Sequence, residues 1–290
     1  ASNGLLAAVW TFAWLPHLKV SAKRVNEVLS LKGVPESEKE GKRISGDIEI
    51  EGVSFTYPNA KLPALTGVNM TIKEGETVAI IGGTGSGKTT LIKLLTGFYE
   101  PTTGAIRFGD HDYAALTPED IRSNISVALQ KSMIFEGTIK DNVTMSVTNA
   151  SDEEVFHALE TARMADFVNS HKEGLYYRLS QSGANLSGGQ KQRINIARTI
   201  FKKSSVYIFD DSFSALDFLT ESKLRRAMGV ELKGKTQIII TQRISTAIRS
   251  DKIFVMADGK VVGEGKHEEL INTCDIYKEI YASQMGEVRK

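Results

Sequence analysis

The sequence predicts an α/β fold with a mainly parallel sheet core, and three observations carry that expectation. Apolar, β-branched runs at Thr77–Ile81, Val206–Phe209 and Gln237–Thr241 alternate with segments of helical period. The first run leads directly into Gly82-Gly-Thr-Gly-Ser-Gly-Lys-Thr89, which reads G-x-x-x-x-G-K-[ST], and then into the helical stretch Leu91–Leu95. Gly82, Gln130, Asp210 and Gln242 all fall at the carboxyl ends of predicted strands, where sheets of this kind bind their ligands.

A strand, a glycine turn and a helix N-terminus together form a phosphate cradle. Backbone N–H groups and the helix dipole point at the anion, and glycines let the backbone approach closely. Four of the six residues from Gly82 to Gly87 are glycine; Thr84 and Ser86 complete the loop. Lys88 is expected to reach the β- and γ-phosphates, the Thr89 hydroxyl to ligate Mg²⁺, and Thr90 to complete the motif. The fold class is therefore a P-loop NTPase. Ile48–Tyr57 alternates as a strand and pairs with Val68–Ile72, which predicts an antiparallel β subdomain beside the core. ATP and Mg²⁺ are the expected cofactors.

Composition narrows the field. Lys and Arg number 36 against 35 Asp and Glu, a formal charge of +1, which offers no electrostatic case for a nucleic-acid partner. The single cysteine, Cys274, excludes an internal disulfide and suits a reducing compartment. No Cys/His spacing suggests zinc; His111, between Asp110 and Asp112, reads as a solvated turn.

Gly4–Leu15 carries no charge and holds both tryptophans, yet it is shorter than the ~20 residues of a spanning helix. It also lacks the basic region of a signal peptide. A core helix and the end of a membrane helix are equally consistent with it. Helical character continues over 17–31, and Lys32–Ser45, with Pro, two Gly and many charges, reads as a solvated linker. Ala105–Phe108 and Ile125–Leu129 are further strands. Ser151-Asp-Glu-Glu154 is a capping box inside a helical insertion, followed by a helix over Lys191–Phe201. Asp258-Gly259 between Ile253–Met256 and Lys260–Val262 signals a hairpin, and a helix from about Glu268 closes the domain. The expected divisions are 1–29, a linker at 30–45, a nucleotide-binding domain at 46–285 with a helical subdomain at about 137–202, and a tail at 286–290.

Leu186-Ser-Gly-Gly-Gln190, between the helical insertion and an apolar strand ending in Asp210, resembles the signature motif of ABC-transporter ATPase domains. The resemblance spans roughly residues 46–285, with every motif in order. It implies that Tyr57 stacks on adenine and that Gln130 is the Q-loop glutamine, sensing Mg²⁺ and attacking water. It further implies that Asp210 is the Walker B aspartate holding Mg²⁺ and that Ser214–Asp217 is the D-loop. Taken singly, Tyr57, Gln130 and Ser187–Gly189 also suit an ordinary strand aromatic, a surface strand end and a capped turn. In the family two domains meet head to tail, so Ser187, Gly188, Gly189 and Gln190 would close on the γ-phosphate held by the other chain. Pro16–Leu29 resembles the link between the last transmembrane helix and the ATPase domain of exporters. The implied partners are a transmembrane domain of the same full-length chain and a second half-transporter, at the cytoplasmic face of the membrane.

Three positions depart from the family. Asp211 stands where glutamate activates water, and its carboxylate sits ~1.5 Å short by bond geometry. Gln242 stands where histidine contacts the γ-phosphate; it hydrogen-bonds but carries neither proton nor charge. Gln181-Ser-Gly183 replaces a glutamate-containing loop before the signature. Weak hydrolysis at the chain's own site beside an intact signature resembles the degenerate subunit of heterodimeric bacterial multidrug exporters. A homodimeric exporter and a non-hydrolysing, ATP-dependent dimerisation clamp are the alternatives. DNA-repair ATPases of this type carry a long coiled coil between loop and signature, which about 100 residues without heptads do not provide. Translation-type proteins carry two such domains, and the 1–29 segment argues against an import ATPase.

Overall fold

The computed structural model describes residues 2–30, 42–145, 147 and 149–285. Two compact units emerge, one over residues 1–39 and one over 40–290. The described part of the first is a single helix, α1 (Ser2–Leu29), which runs through Pro16. Trp10, Phe12, Trp14, Leu15 and Leu18 on it are exposed. Among the described residues no helix is long and apolar enough to cross a membrane. Most of the expected linker and the whole tail 286–290 lie outside the described residues.

The second unit begins with β1 (Ile48–Phe55), β2 (Leu65–Ile72), β3 (Thr77–Ile81), α2 (Lys88–Leu95), β4 (Thr103–Phe108) and β5 (His111–Asp112). It continues through α3 (Pro118–Asn124), β6 (Ile125–Ala128), β7 (Gly137–Thr138), α4 (Ile139–Thr144), α5 (Asp152–Thr161), α6 (Ala165–Asn169), β8 (Arg178–Leu179) and α7 (Gly188–Phe201). Last come β9 (Val206–Asp210), α8 (Phe218–Glu231), β10 (Thr236–Thr241), α9 (Ile244–Ala247), β11 (Lys252–Ala257), β12 (Lys260–Gly265), α10 (His267–Thr273) and α11 (Asp275–Met285).

The large sheet has the order β12-β11-β3-β10-β9-β6. Its members pair in parallel except β12, which joins β11 as an antiparallel hairpin through Asp258 and Gly259, both at positive φ. Every residue of β9 and β10 is buried, as expected for strands covered on both faces. The antiparallel sheet has the order β2-β1-β4-β5. Its inner residues Val53, Leu65, Val68 and Ile72 share a core with Val78 and Ile80 of β3.

Helices α3, α4, α5 and α7 start with the same reciprocal device. Thr117, Thr138, Ser151 and Ser187 each accept from the N–H three residues on, while Asp120, Asp141, Glu154 and Gln190 reach back. Residues 42–45, read from sequence as linker, belong to the fold at their inner end. Ile44 is buried and its N–H donates to Asn124 Oδ1 at 2.8 Å, because an apolar side chain ends the charged run. Tyr57 lies two residues beyond the end of β1 rather than within it.

Candidate nucleotide site

The sheet order puts the carboxyl ends of β3, β10 and β9 side by side. After β3 the chain turns through Gly82–Gly87 into α2, whose first residue is Lys88. Gly85 and Gly87 have φ of +82° and +103°, a backbone that only glycine adopts without strain. A Cβ on Gly82 would lie 2.2 Å from the Met256 carbonyl oxygen, so β11 forbids any side chain there. A Cβ on Gly83 or Gly85 would meet nothing within 4 Å, so the concave side of the loop is open.

Beside the loop lies a cleft of about 370 Å³, lined by Gly85, Lys88, Thr89 and Thr90 and closed by Pro63 and Asp258. The Lys88 ammonium donates to Gly82 O at 2.7 Å, Gly83 O at 2.7 Å and Ser86 Oγ at 3.0 Å. All three acceptors are neutral. Burial pulls its pKa down, while Asp211 and Asp210 push it up. An ammonium held by neutral groups in an open glycine cradle fits a triphosphate, which would supply the missing negative charge.

Asp210, the last residue of β9, is 8 % exposed. Burial and the neighbouring Asp211 raise its carboxyl to about 6 against the pull of Lys88. Among the described residues no group of three or more His, Cys, Asp or Glu could hold a metal alone. The buried carboxylate at the end of β9 and the exposed Thr89 hydroxyl at the start of α2 are oxygen donors of the kind that suit Mg²⁺, which takes one or two protein oxygens and completes its shell with phosphates and water.

Asp211 follows with φ of +45°, its N–H donating to Ile240 O at 2.9 Å. Gln242, just past β10, places Nε2 at 3.5 Å from Asp211 Oδ2. Two of the three departures read from sequence, Asp211 and Gln242, therefore face each other at one corner. Gln130 is exposed two residues beyond β6. Tyr57 lies by the loop, its hydroxyl 3.1 Å from Thr90 Oγ1. Its ring packs edge-on against Phe55 and Tyr99, with centroids 4.9 and 5.4 Å away.

The Ser187–Gln190 cap sits at the start of α7. Ser187 Oγ accepts from Gln190 N at 3.2 Å and Gln190 Oε1 accepts from Ser187 N at 2.8 Å. Among the described residues the Ser187 hydroxyl proton and the first-turn N–H groups of Gly188 and Gly189 have no acceptor, as suits a helix start that meets an anion. A Cβ on Gly189 would press on Ala215 O and Leu216 Cδ2 at 3.3 Å, which explains the glycine.

Sequence reasoning missed the side chains that tie these parts together. Buried Gln192 donates to Ser214 Oγ and accepts from Ala215 N, both at 2.9 Å, joining α7 to the loop after Asp211. Asn195 donates to Leu129 O at 3.1 Å and Ser212 to Ala128 O at 2.7 Å, fixing the chain that enters Gln130. Arg243 donates to Ser214 O at 2.7 Å. Gln284, on α11, accepts from Ile244 N at 2.9 Å and donates to Gln242 O at 2.5 Å. One carboxamide thus satisfies the backbone on both sides of Arg243, where α9 has no side-chain cap of its own. The available signal was the spacing of Gln192, Asn195 and Thr199, polar residues on a helix face that is otherwise apolar.

The family model described as ABC transporter matches residues 65–214, from β2 through the Asp210–Ser214 turn. The chain belongs to the ABC transporter family. It is an ATP-binding domain of that family, and such domains are ATPases. The chain is 38 % identical over 289 residues to an uncharacterized ABC transporter ATP-binding protein of Mycobacterium tuberculosis, covering 97 % of this chain and 49 % of that one. It is 36 % identical over 284 residues to the alpha-hemolysin translocation ATP-binding protein HlyB of Escherichia coli, covering 96 % and 40 %. The solved structure of a bacterial Atm1-family ABC exporter with ATP bound superposes with a TM-score of 0.85 at 30 % identity, covering 94 % of this chain and 48 % of that one. The chain spans about half the length of these relatives, or less. Their shared architecture is the P-loop fold with an antiparallel β subdomain, as the sequence predicts.

Proposed function

We propose that this chain is the nucleotide-binding domain of an exporter and the slow-site member of an unlike pair. The observation that carries the reading is the Asp211–Gln242 corner, 3.5 Å across, combined in one chain with a fully capped Ser187–Gln190 helix start. The translocation and exporter relatives support the transport assignment. The exposed tryptophans and leucines of α1 support attachment to a transmembrane domain of the same full-length chain at the cytoplasmic face of the membrane. The exported molecule is proposed to be small and amphipathic or drug-like.

In this reading the loop N–H groups from Gly82 to Thr90 and the Lys88 ammonium bind the phosphates of ATP, and Tyr57 packs on the base. Thr89, Asp210 and Gln130 would hold Mg²⁺, which when bound neutralises charge on the β- and γ-phosphates. Asp211 is the base for the attacking water, set back by one methylene. A misplacement of about 1 Å costs up to ~10²-fold in rate. Gln242 hydrogen-bonds to the γ-phosphate without adding charge. Ser187, Gly188, Gly189 and Gln190 contribute nothing to this loop; they complete the site of a sister chain that carries the better base.

The test is the Mg-ATPase rate of the chain at high concentration, compared with Asp211→Glu/Gln242→His made in it. A slow parent and a double variant faster by up to about 10²-fold are expected. A parent already as fast as the variant overturns the slow-site assignment and returns the homodimeric exporter. Binding without turnover in either protein favours the non-hydrolysing clamp.

A further inference from the structure

A second cleft, of about 250 Å³, lies at the opposite end of the sheet from the nucleotide loop. Its lining includes Ser222, Arg225 and Arg226 from α8, Arg249 after α9, Gln237 of β10 and Thr77 of β3. Thr77 and Ile81 are the first and last residues of β3, so the cleft and the loop are separated by the strand's length, roughly 15 Å.

Helical spacing explains the composition of this wall. Ser222, Arg225, Arg226 and Gly229 follow i, i+3, i+4, i+7 and share one stripe of α8. A Cβ on Gly229 would meet nothing within 4 Å, which leaves the space in front of the arginines open. Arg225 donates to Thr246 O, and Arg249 Nη1 donates to Ser222 Oγ at 3.4 Å. Among the described residues none of the three arginines has a carboxylate within ion-pair distance. Glu221 acts on Arg225 through space but makes its hydrogen bonds elsewhere, as does Asp251. Glu221 accepts from Thr246 Oγ1 at 2.7 Å and pairs with Arg243 at 3.5 Å, and Asp251 accepts from Thr77 N at 2.9 Å.

A second, independent observation concerns Gln237. The residue is 8 % exposed and lines the cleft, but its carboxamide is not among the buried polar groups left without a partner, so its polar end opens onto the cleft. The strand that carries it is otherwise apolar except at its terminal threonines. An amide donor open to the cleft beside three guanidiniums that lack a contacting carboxylate among the described residues suits a group that accepts hydrogen bonds and carries negative charge. Guanidinium forks match tetrahedral oxyanions through paired N–H donors.

We propose that this cleft is a binding site for a phosphate-class oxyanion, separate from the nucleotide loop. The Arg225, Arg226 and Arg249 guanidiniums supply charge, and the Gln237 amide and Ser222 hydroxyl supply neutral donors. The site requires neither transport activity nor an unlike partner.

The experiment titrates orthophosphate, against chloride at matched ionic strength, into the 290-residue chain carrying Lys88→Ala, which disables the nucleotide loop. Thermal unfolding is expected to rise by about 2–4 °C near saturation. Adding Arg226→Gln/Arg249→Gln, both exposed positions, is expected to abolish that rise. Retention of the rise in the arginine variant would show general salt exclusion and overturn the proposal, as would absence of any rise with orthophosphate and with ATP. A rise with ATP alone, lost in the arginine variant, supports the site and assigns its phosphate to a nucleotide. Calorimetry of pyrophosphate binding to the chain with Lys88 intact avoids reliance on a folded Lys88 variant. Two classes of site falling to one in Arg226→Gln/Arg249→Gln are expected, and a single class in both overturns the proposal.

Discussion

The Asp210–Gln242 corner and the Ser187–Gln190 helix start differ in which parts of the ATPase pattern they retain. At the corner the backbone framework is complete: β9 and β10 pair in register, and Asp211 N bonds to Ile240 O across them. Only the two side-chain ends that would act on a γ-phosphate depart from the pattern. At the helix start both the backbone and the side chains are in place, and buried Gln192 fastens the helix to the Ser214–Ala215 turn. The difference teaches that binding geometry and hydrolytic chemistry are separable. Phosphate binding needs N–H groups and glycine, which the fold supplies, whereas water activation needs one carboxylate placed to within about 1 Å.

The strongest way to break this comparison is to remove the binding half. Lys88→Ala is expected to weaken ATP binding by about 10²-fold or more, since charge-assisted bonds to phosphate are among the strongest polar contacts. Titration with a fluorescent nucleotide would read it, and unchanged affinity would mean that the cradle does not hold the phosphates.

Asp210 sharpens the same side through pH. Its folded value of about 6 lies above the ordinary 3.8, so the folded chain holds a proton that the unfolded chain releases between those values. Without nucleotide or Mg²⁺, this group therefore costs stability above about pH 6, and the cost disappears as pH falls toward the ordinary value. Asp210→Asn is expected to stabilise the ligand-free fold at about pH 8 by up to about 3 kcal/mol, with no gain near pH 4. Denaturant melts at both pH values check the sign.

Gln192→Ala tests the fastening of the signature helix. Leaving Ser214 and Ala215 without their buried partner is expected to cost about 1–3 kcal/mol, a fall of several degrees in Tm. A Tm unchanged within error would show that the turn holds itself. The smallest effect belongs to Gln284→Ala on exposed α11, at about 1 kcal/mol or less. Its sharper readout is hydrogen exchange. The Ile244 amide is expected to exchange faster, whereas Gln284→Glu keeps the acceptor and preserves that protection.

Much of the site was legible because its signals are local. Gly82–Thr89 declares itself by spacing, and Ser151-Asp-Glu-Glu154 by capping chemistry. The same signal at Thr117, Thr138 and Ser187 was present in the sequence, yet α3, α4 and the true start of α7 emerged only from the coordinates. Helix α8 escaped too, because Lys, Arg and Glu interrupt its apolar positions and only Leu224 and Met228 reach the core.

The sequence by itself determined the principal core strands, the phosphate loop and the identities of Asp211 and Gln242. Period, glycine spacing and side-chain chemistry are properties of neighbours along the chain. Only the tertiary structure decided that Gln242 faces Asp211, that Gln192 and Asn195 tie α7 to the turn after β9 and to the chain leaving β6, and that Gln284 closes the backbone around Arg243. Those pairs lie between 22 and 66 residues apart, and no local rule selects among so many possible partners. The parallel pairing of β3, β10 and β9 brings them together, because burying those strands on both faces leaves their polar ends a single edge on which to meet.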